Sequence, residues 1–187
     1  MKEVIIVRII SGKYKGKKLD GYDIEGTRPT QDRVKESLFA MIQNDLRDAN
    51  ILDLFAGSGN LGIEALSNGA NFSYFVDNNS KCIEVLNKNL RNINEKNSKV
   101  LNLDYKNALT YFKENNITFD IIFLDPPYNL ECLDYILDKL IEYNLLENNS
   151  LIICEYEHNN FKDNYKNLEL EKEKKYGYKN IRIYRKV

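Results

Sequence analysis
An apolar run that closes on an acid, two prolines and an aromatic, Phe119-Asp-Ile-Ile-Phe-Leu-Asp125-Pro126-Pro127-Tyr128, holds the residues of this chain best suited to chemistry. Neither proline has a backbone N–H and both have a fixed φ, so a central strand cannot run through them and the turn they make is stiff. The Asp125 carboxylate and the rigid Pro126 carbonyl offer two acceptors, and Tyr128 sets a flat apolar face beside them. Such a site suits a planar ring carrying an NH2 group. The exocyclic amino nitrogen of a nucleobase is a poor nucleophile because its lone pair is delocalised into the ring. Acceptors on both N–H bonds favour a pyramidal nitrogen and aim that lone pair at an electrophile. The same tetrapeptide also reads as a surface turn in which Asp125 caps the next helix.

A second group lies upstream. Gly57, Gly59 and Gly62 satisfy G-x-G-x-x-G between a strand and a helix, and Asp77 follows Gly57 by twenty residues. Alone, this is a dinucleotide fingerprint with the acid on a ribose diol. Asp53, just before the glycines, argues against a pyrophosphate, because two negative groups would meet there. A ligand with a cationic end, such as S-adenosylmethionine, gains from the same acid. Asp77 would then hold ribose hydroxyls and Asp104 would accept from the adenine amino group. With Asp125, four acids end four successive strands along one rim, where open α/β sheets bind ligands. Each acid taken singly also reads as a strand-end cap. The electrophile supplied there is a methyl group, catalysis is mostly positioning, and the target base must be flipped or already unpaired.

The elements that position these residues alternate. Strands are expected over 50–55, 72–77, 99–104, 119–124 and 151–157. Helices are expected from the glycine loop to about Leu66, from Ser80 with Cys82, Leu86, Leu90 and Ile93 on one stripe, from Ala108 to about Asn115, and over 133–143. Residues 168–173 and 180–186 read as a closing hairpin through Tyr176-Gly177-Tyr178. Before this series, 31–46 reads as an amphipathic helix capped by Thr30, with Val34, Leu38, Met41 and Ile42 inward. Repeated strand-helix units imply an α/β, doubly wound, mostly parallel sheet. No linker or repeat divides the 187 residues, so they form one domain, with 1–30 as a basic N-terminal β appendage.

Composition narrows the classes further. Cys82, Cys132 and Cys154 are scattered and His158 is the one histidine, so neither a disulfide framework, a metal site nor a histidine triad is expected, and a reduced cytoplasmic setting is. No apolar run is long enough for a membrane span. The net charge of −1 hides a pattern: residues 8–18 carry +5, residues 174–187 carry +6, and residues 19–173 carry −12. Two basic ends on an acidic body suit a polyanion if the fold brings them together, and solvated terminal lysines are the plainer account. In the N-terminal segment Gly12, Tyr14 and Gly16 interleave with the lysines and permit close backbone approach.

In order along the chain, Arg8-Ile-Ile-Ser-Gly-Lys-Tyr-Lys-Gly16, Thr27-Arg-Pro-Thr30, Arg33-Val-Lys-Glu-Ser-Leu-Phe39, Asp53-Leu-Phe-Ala-Gly-Ser-Gly59, Leu61-Gly62, Asp125-Pro-Pro-Tyr128 and the hairpin from Tyr176 to Tyr184 resemble the RsmD-type family of class I S-adenosylmethionine-dependent methyltransferases. Asn60, where the family more often has a small apolar residue, and Asp77, where glutamate is common, depart from its pattern without removing a mechanistic group. Residues 1–7 extend the usual start. The resemblance implies a Rossmann-like seven-stranded sheet and methylation of a guanine N2 amino group in 16S ribosomal RNA, within an assembling or assembled small subunit, by a cytoplasmic monomer. It implies that Asp53, Phe55, Gly57, Gly59, Asp77, Asn78, Asp104 and Tyr105 bind the cofactor. Asp125, Pro126, Pro127 and Tyr128 would form the catalytic turn, and Arg8, Lys13, Lys15, Arg28 and Thr30 would meet RNA. A DNA adenine-N6 or cytosine-N4 methyltransferase uses the same tetrapeptide. An NAD(P)-dependent oxidoreductase and a nucleic-acid-binding module without catalysis stay open as readings of the residues alone, the last disfavoured by the intact turn.

Overall fold
The computed structural model describes residues 6–21, 32–127, 130–158, 161–162 and 164–187. Arg28, Thr30, Tyr128 and the expected Thr30 cap lie outside these residues. Five apolar segments form parallel strands: β3 (Asn50–Asp53), β4 (Phe72–Val76), β5 (Ser98–Leu101), β6 (Phe119–Leu124) and β7 (Leu146–Tyr156). Two more, β8 (Leu168–Tyr176) and β9 (Lys179–Lys186), form an antiparallel hairpin, and β9 docks antiparallel on β7. The sheet order is β5-β4-β3-β6-β7-β9-β8. The expected doubly wound, mostly parallel sheet with a C-terminal hairpin is therefore what the chain forms.

Alternation along the strands sorts side chains into two layers. Ile51, Phe75, Ile121 and Phe123 face one side, where α1 (Asp32–Ile42), α2 (Asn60–Ser67) and α3 (Ser80–Ile93) pack through Leu38, Ile63 and Leu86. Leu52, Val76, Ile122 and Leu124 face the other, against Leu109, Phe112, Ile136 and Leu140 of α4 (Tyr105–Glu114) and α5 (Leu133–Glu142). The stripe expected on α3, Cys82, Leu86, Leu90 and Ile93, is its buried side. Asn79 caps α3 by accepting the Lys81 N–H, and Asn94, at φ 57, ends it.

Several boundaries differ from expectation. The third strand ends at Leu101 rather than Asp104, because Asp104 turns back to cap α4, which consequently starts at Tyr105 rather than Ala108. The fifth starts at Leu146, five residues early: Glu147, Asn148 and Asn149 are exposed on an irregular stretch of strand and look like loop in sequence. The first helix ends at Ile42, and Met41 is only partly buried.

The basic N-terminal segment forms a separate two-stranded sheet, β1 (Ile6–Arg8) with β2 (Lys18–Asp20), joined through a short 3-10 turn at Gly12–Tyr14. Its Val7, Ile9 and Leu19 join the core shared by α1, α2 and α3. A buried ion pair fastens it: Lys35 of α1 and Glu64 of α2 meet at 2.9 Å with both side chains 0% exposed. Glu64 accepts the Ile10 and Ser11 N–H groups, and Lys35 donates to the Arg8 carbonyl and to Asn60 Oδ1. These extra partners offset the cost of burying both charges. Gly12 sits at φ +78 where a Cβ would fall 1.8 Å from the Ser67 carbonyl oxygen, so only glycine allows this approach. Among the described residues no helix is long and apolar enough to cross a membrane.

Candidate active site
The chain builds β3, β4 and β5 outward and then returns to lay β6 against the other side of β3. The C-terminal ends of β3 and β6 thus flank a topological switch point, the crevice where such sheets bind ligands. Asp53 ends β3, in register with Phe123, and Asp125 follows β6 directly.

Asp53 is 2% exposed and accepts the Gly62 N–H at 2.9 Å, across the glycine loop. Burial pushes its carboxyl from 3.8 up to about 7; the Gly62 N–H opposes the rise and the Asp77 charge adds to it. Asp77 accepts the Gly57 N–H at 2.8 Å through one oxygen and the Asn79 N–H at 2.8 Å through the other. The two acids therefore hold the glycine loop from opposite ends. Gly57 has φ +53, and a Cβ placed on it would meet nothing within 4 Å, so its outer side faces open space. Gly62 is the reverse case: a Cβ would fall 2.3 Å from Phe75 Cε1, so it serves helix–sheet packing. Asn78 is exposed beside Asp77. Phe55 and Tyr105 meet with ring centroids 5.9 Å apart, and Tyr105 meets Tyr135 edge-on at 6.0 Å, forming an aromatic wall beside the loop.

Asp104 caps α4. One carboxylate oxygen accepts the Lys106 and Asn107 N–H groups at 2.9 and 3.1 Å, and the other accepts from the Asn107 side chain. It fixes the start of α4, and with it Tyr105.

Asp125 shares its surroundings with two residues that sequence reasoning missed. Glu155, near the end of β7, and Lys179, the first residue of β9, form an ion pair with the two side chains 5% and 2% exposed. Asp125 hydrogen-bonds Glu155 and lies close enough to Asp53 and Lys179 for their charges to act on it. Burial, then the Glu155 and Asp53 charges, hold its carboxyl well above the carboxylate range, with Lys179 working against them. Pro126 is buried, and the Pro127 carbonyl accepts the Leu130 N–H at 2.8 Å, which closes the turn. A cavity of about 210 Å³ opens between this turn and the end of β7, lined by Pro126, Pro127, Glu155, Glu157, His158 and Phe161 among others. Glu155 had a legible signal: it is one more acid at the end of one more apolar strand. Lys179 had none, because its partner is set by strand order.

The basic segments divide. Arg8 and Lys15 are exposed on the N-terminal sheet, whereas Lys13 pairs with Glu95 at 2.8 Å, and Tyr14, under the Lys13 ammonium, donates to the same carboxylate at 3.0 Å. At the other end Arg182 pairs with Glu173 and Arg185 with Glu171 and Asp45. Two of the six basic residues at that end therefore meet an acid of β8 and Lys179 meets Glu155, whereas in the N-terminal segment one of five, Lys13, is paired.

Known proteins are similar to this chain in sequence and fold. The Ribosomal RNA small subunit methyltransferase D of Haemophilus influenzae is 37% identical over 182 residues, 95% of this chain and 93% of that one. A solved Escherichia coli structure assigned as a methyltransferase, yhhF, superimposes with TM-score 0.86 at 32% identity, over 97% of this chain and 98% of its own. A methyltransferase solved with SAH, at 14% identity, shares the fold with TM-score 0.74 over 99% of this chain and 56% of its own. The family model described as Conserved hypothetical protein 95 matches residues 7–185, and the chain belongs to this family, that of the small-subunit ribosomal RNA methyltransferase D proteins.

Proposed function
We propose that this protein transfers a methyl group from S-adenosylmethionine to the exocyclic N2 amino group of a guanine in 16S ribosomal RNA. The observation that carries the reading is the switch-point crevice, with the loop-holding acids Asp53 and Asp77 on one side and the Asp125-Pro126-Pro127 turn on the adjacent strand end. The residues fit the cofactor: a buried acid suits its cationic end, and the open side of Gly57 leaves room for it. When bound, S-adenosylmethionine supplies an electrophilic methyl group. Asp53, Asp77 and Asn78 would hold it, with Phe55 and Tyr105 forming the aromatic wall beside it. Asp125 and the Pro126 carbonyl accept the two N–H bonds of the target amino group and turn its lone pair toward that methyl group. Positioning then supplies most of the rate. The cavity beyond the prolines supports entry of one unpaired base. Tyr128, Arg28 and Thr30 are assigned to the same surface by the family resemblance.

The protein works as a monomeric single domain in the cytoplasm, with residues 1–30 as its RNA-contacting appendage through Arg8, Lys13 and Lys15. Its substrate is RNA within an assembling or assembled small subunit. Transfer of labelled methyl groups to small-subunit RNA, followed by nucleoside chromatography, tests this reading. N2-methylguanosine is the expected product. Label in duplex DNA alone would replace the reading by a DNA amino-methyltransferase, and binding of NAD without S-adenosylmethionine would replace it by an oxidoreductase.

A further inference from the structure
Three carboxyl groups and one ammonium meet at the strand ends: Asp53 from β3, Asp125 after β6, Glu155 from β7 and Lys179 from β9. Glu131, Glu157 and His158 face the same cavity from its wall. Two carboxyl groups that hydrogen-bond each other need a proton between them. The register that sets Leu124 beside Cys154 carries Asp125 and Glu155 to neighbouring strand ends, and Glu155 is the partner of Lys179. Glu155 lines the cavity together with Pro126 and Pro127, which directly follow Asp125.

We propose that Glu155, fixed by Lys179, is a positioning residue for Asp125, orienting its carboxyl toward the target amino group and passing the released proton to the cavity. This rests on the methyltransferase reading above. As the nitrogen lone pair forms the new N–C bond, the sulfur keeps the electron pair of the broken S–C bond. One N–H proton must then leave the nitrogen. It passes to Asp125, while the proton Asp125 already carried crosses to Glu155 and from there to cavity water. Lys179 holds the Glu155 carboxylate in place for that transfer.

The direct test is carboxyl-carbon NMR titration of cofactor-free protein, with Glu155→Gln and Lys179→Met as variants. Asp125 is expected to titrate well above the usual carboxylate value of about 4. Glu155→Gln removes a like charge and should lower its midpoint by about one pH unit or more, whereas Lys179→Met removes an opposite charge and should raise it. A scaffold role alone does not produce opposite shifts. With S-adenosylmethionine and RNA saturating, Glu155→Gln should lower kcat at least about tenfold with KM unchanged, and Glu155→Asp should restore part of it. The double variant Glu155→Gln/Lys179→Met keeps the packing without either charge and should show the same kcat loss if a single variant fails to fold. An Asp125 midpoint near 4 in the unaltered protein, or the same midpoint in both variants, overturns the inference. So does a folded double variant with unchanged kcat. An unaltered protein that methylates no RNA overturns the methyltransferase reading instead, and leaves the titration result standing.

Discussion

Replacing Asp53 by asparagine should stabilise the protein and weaken its hold on a cationic ligand at the same time. The carboxyl is buried, and burial lifts it from 3.8 to about 7. Between those values the folded protein keeps a proton that the unfolded chain has released. Stability therefore falls as pH rises through this window and levels off above it, and the whole rise corresponds to about 4 kcal/mol. Asparagine can still accept the Gly62 N–H through its side-chain oxygen, and it has no charge to desolvate. Urea denaturation between about pH 4 and pH 8 should show a slope in the unaltered protein that exceeds the variant's by up to about 1.4 kcal/mol per pH unit. Above pH 7 the variant should be the more stable by as much as about 4 kcal/mol. Asp125 adds a slope of the same sign, and because the Asp53 charge contributes to it, the difference between the curves reads Asp53 together with its effect on Asp125. Calorimetry should show the opposite preference for S-adenosylmethionine: weaker binding to the variant, and loss of the gain in affinity as pH rises through 7. Parallel stability curves for the two proteins would refute the argument that Asp53 is held charged at a cost for the sake of a ligand.

Asp125→Ala should abolish methyl transfer while calorimetric affinity for S-adenosylmethionine stays within a few-fold, since the glycine loop is held by Asp53 and Asp77. Lys15→Ala should reduce the salt slope of RNA binding by about 0.7–0.9 of a unit, and Lys13→Ala by less, because Lys13 is already paired with Glu95. Lys35→Met leaves Glu64 buried without its counter-ion and should cost about 3–5 kcal/mol in urea denaturation. Gly12→Ala drives a Cβ into the Ser67 carbonyl, and should loosen the N-terminal sheet, seen as faster amide exchange at Ile10 and Ser11 with the exchange of β6 unchanged.

The parts of the fold legible in the sequence are those where one residue type answers one local demand. The apolar run of β6 ends at the residue before Asp125, as its prolines require, and the α3 stripe faces the core. Asp53 ends β3 and Asp77 directly follows β4, and each accepts an N–H of the glycine loop. Asp104 follows the same pattern in sequence, yet its strand stops three residues earlier and its side chain caps α4. Lys35 sits between Val34 and the buried turn of α1, where a lysine reads as a surface residue until Glu64 is seen opposite. Lys179 opens a strand that lands beside β7 only because the hairpin inserts antiparallel, and no local pattern announces that partner. The pairing of Arg182 and Arg185 was hidden for the same reason: their acids, Glu173 and Glu171, lie on β8, one strand away in space.

The delivery of Lys179 by β9 also orders events in time. During synthesis Asp53, Asp125 and Glu155 leave the ribosome well before Lys179 does. A nascent chain halted before the hairpin would lack the cation that meets Glu155, and closing the strand ends would bury that carboxylate without its partner. The last strand thus does more than complete a sheet: its arrival marks the point at which the protein becomes competent to act.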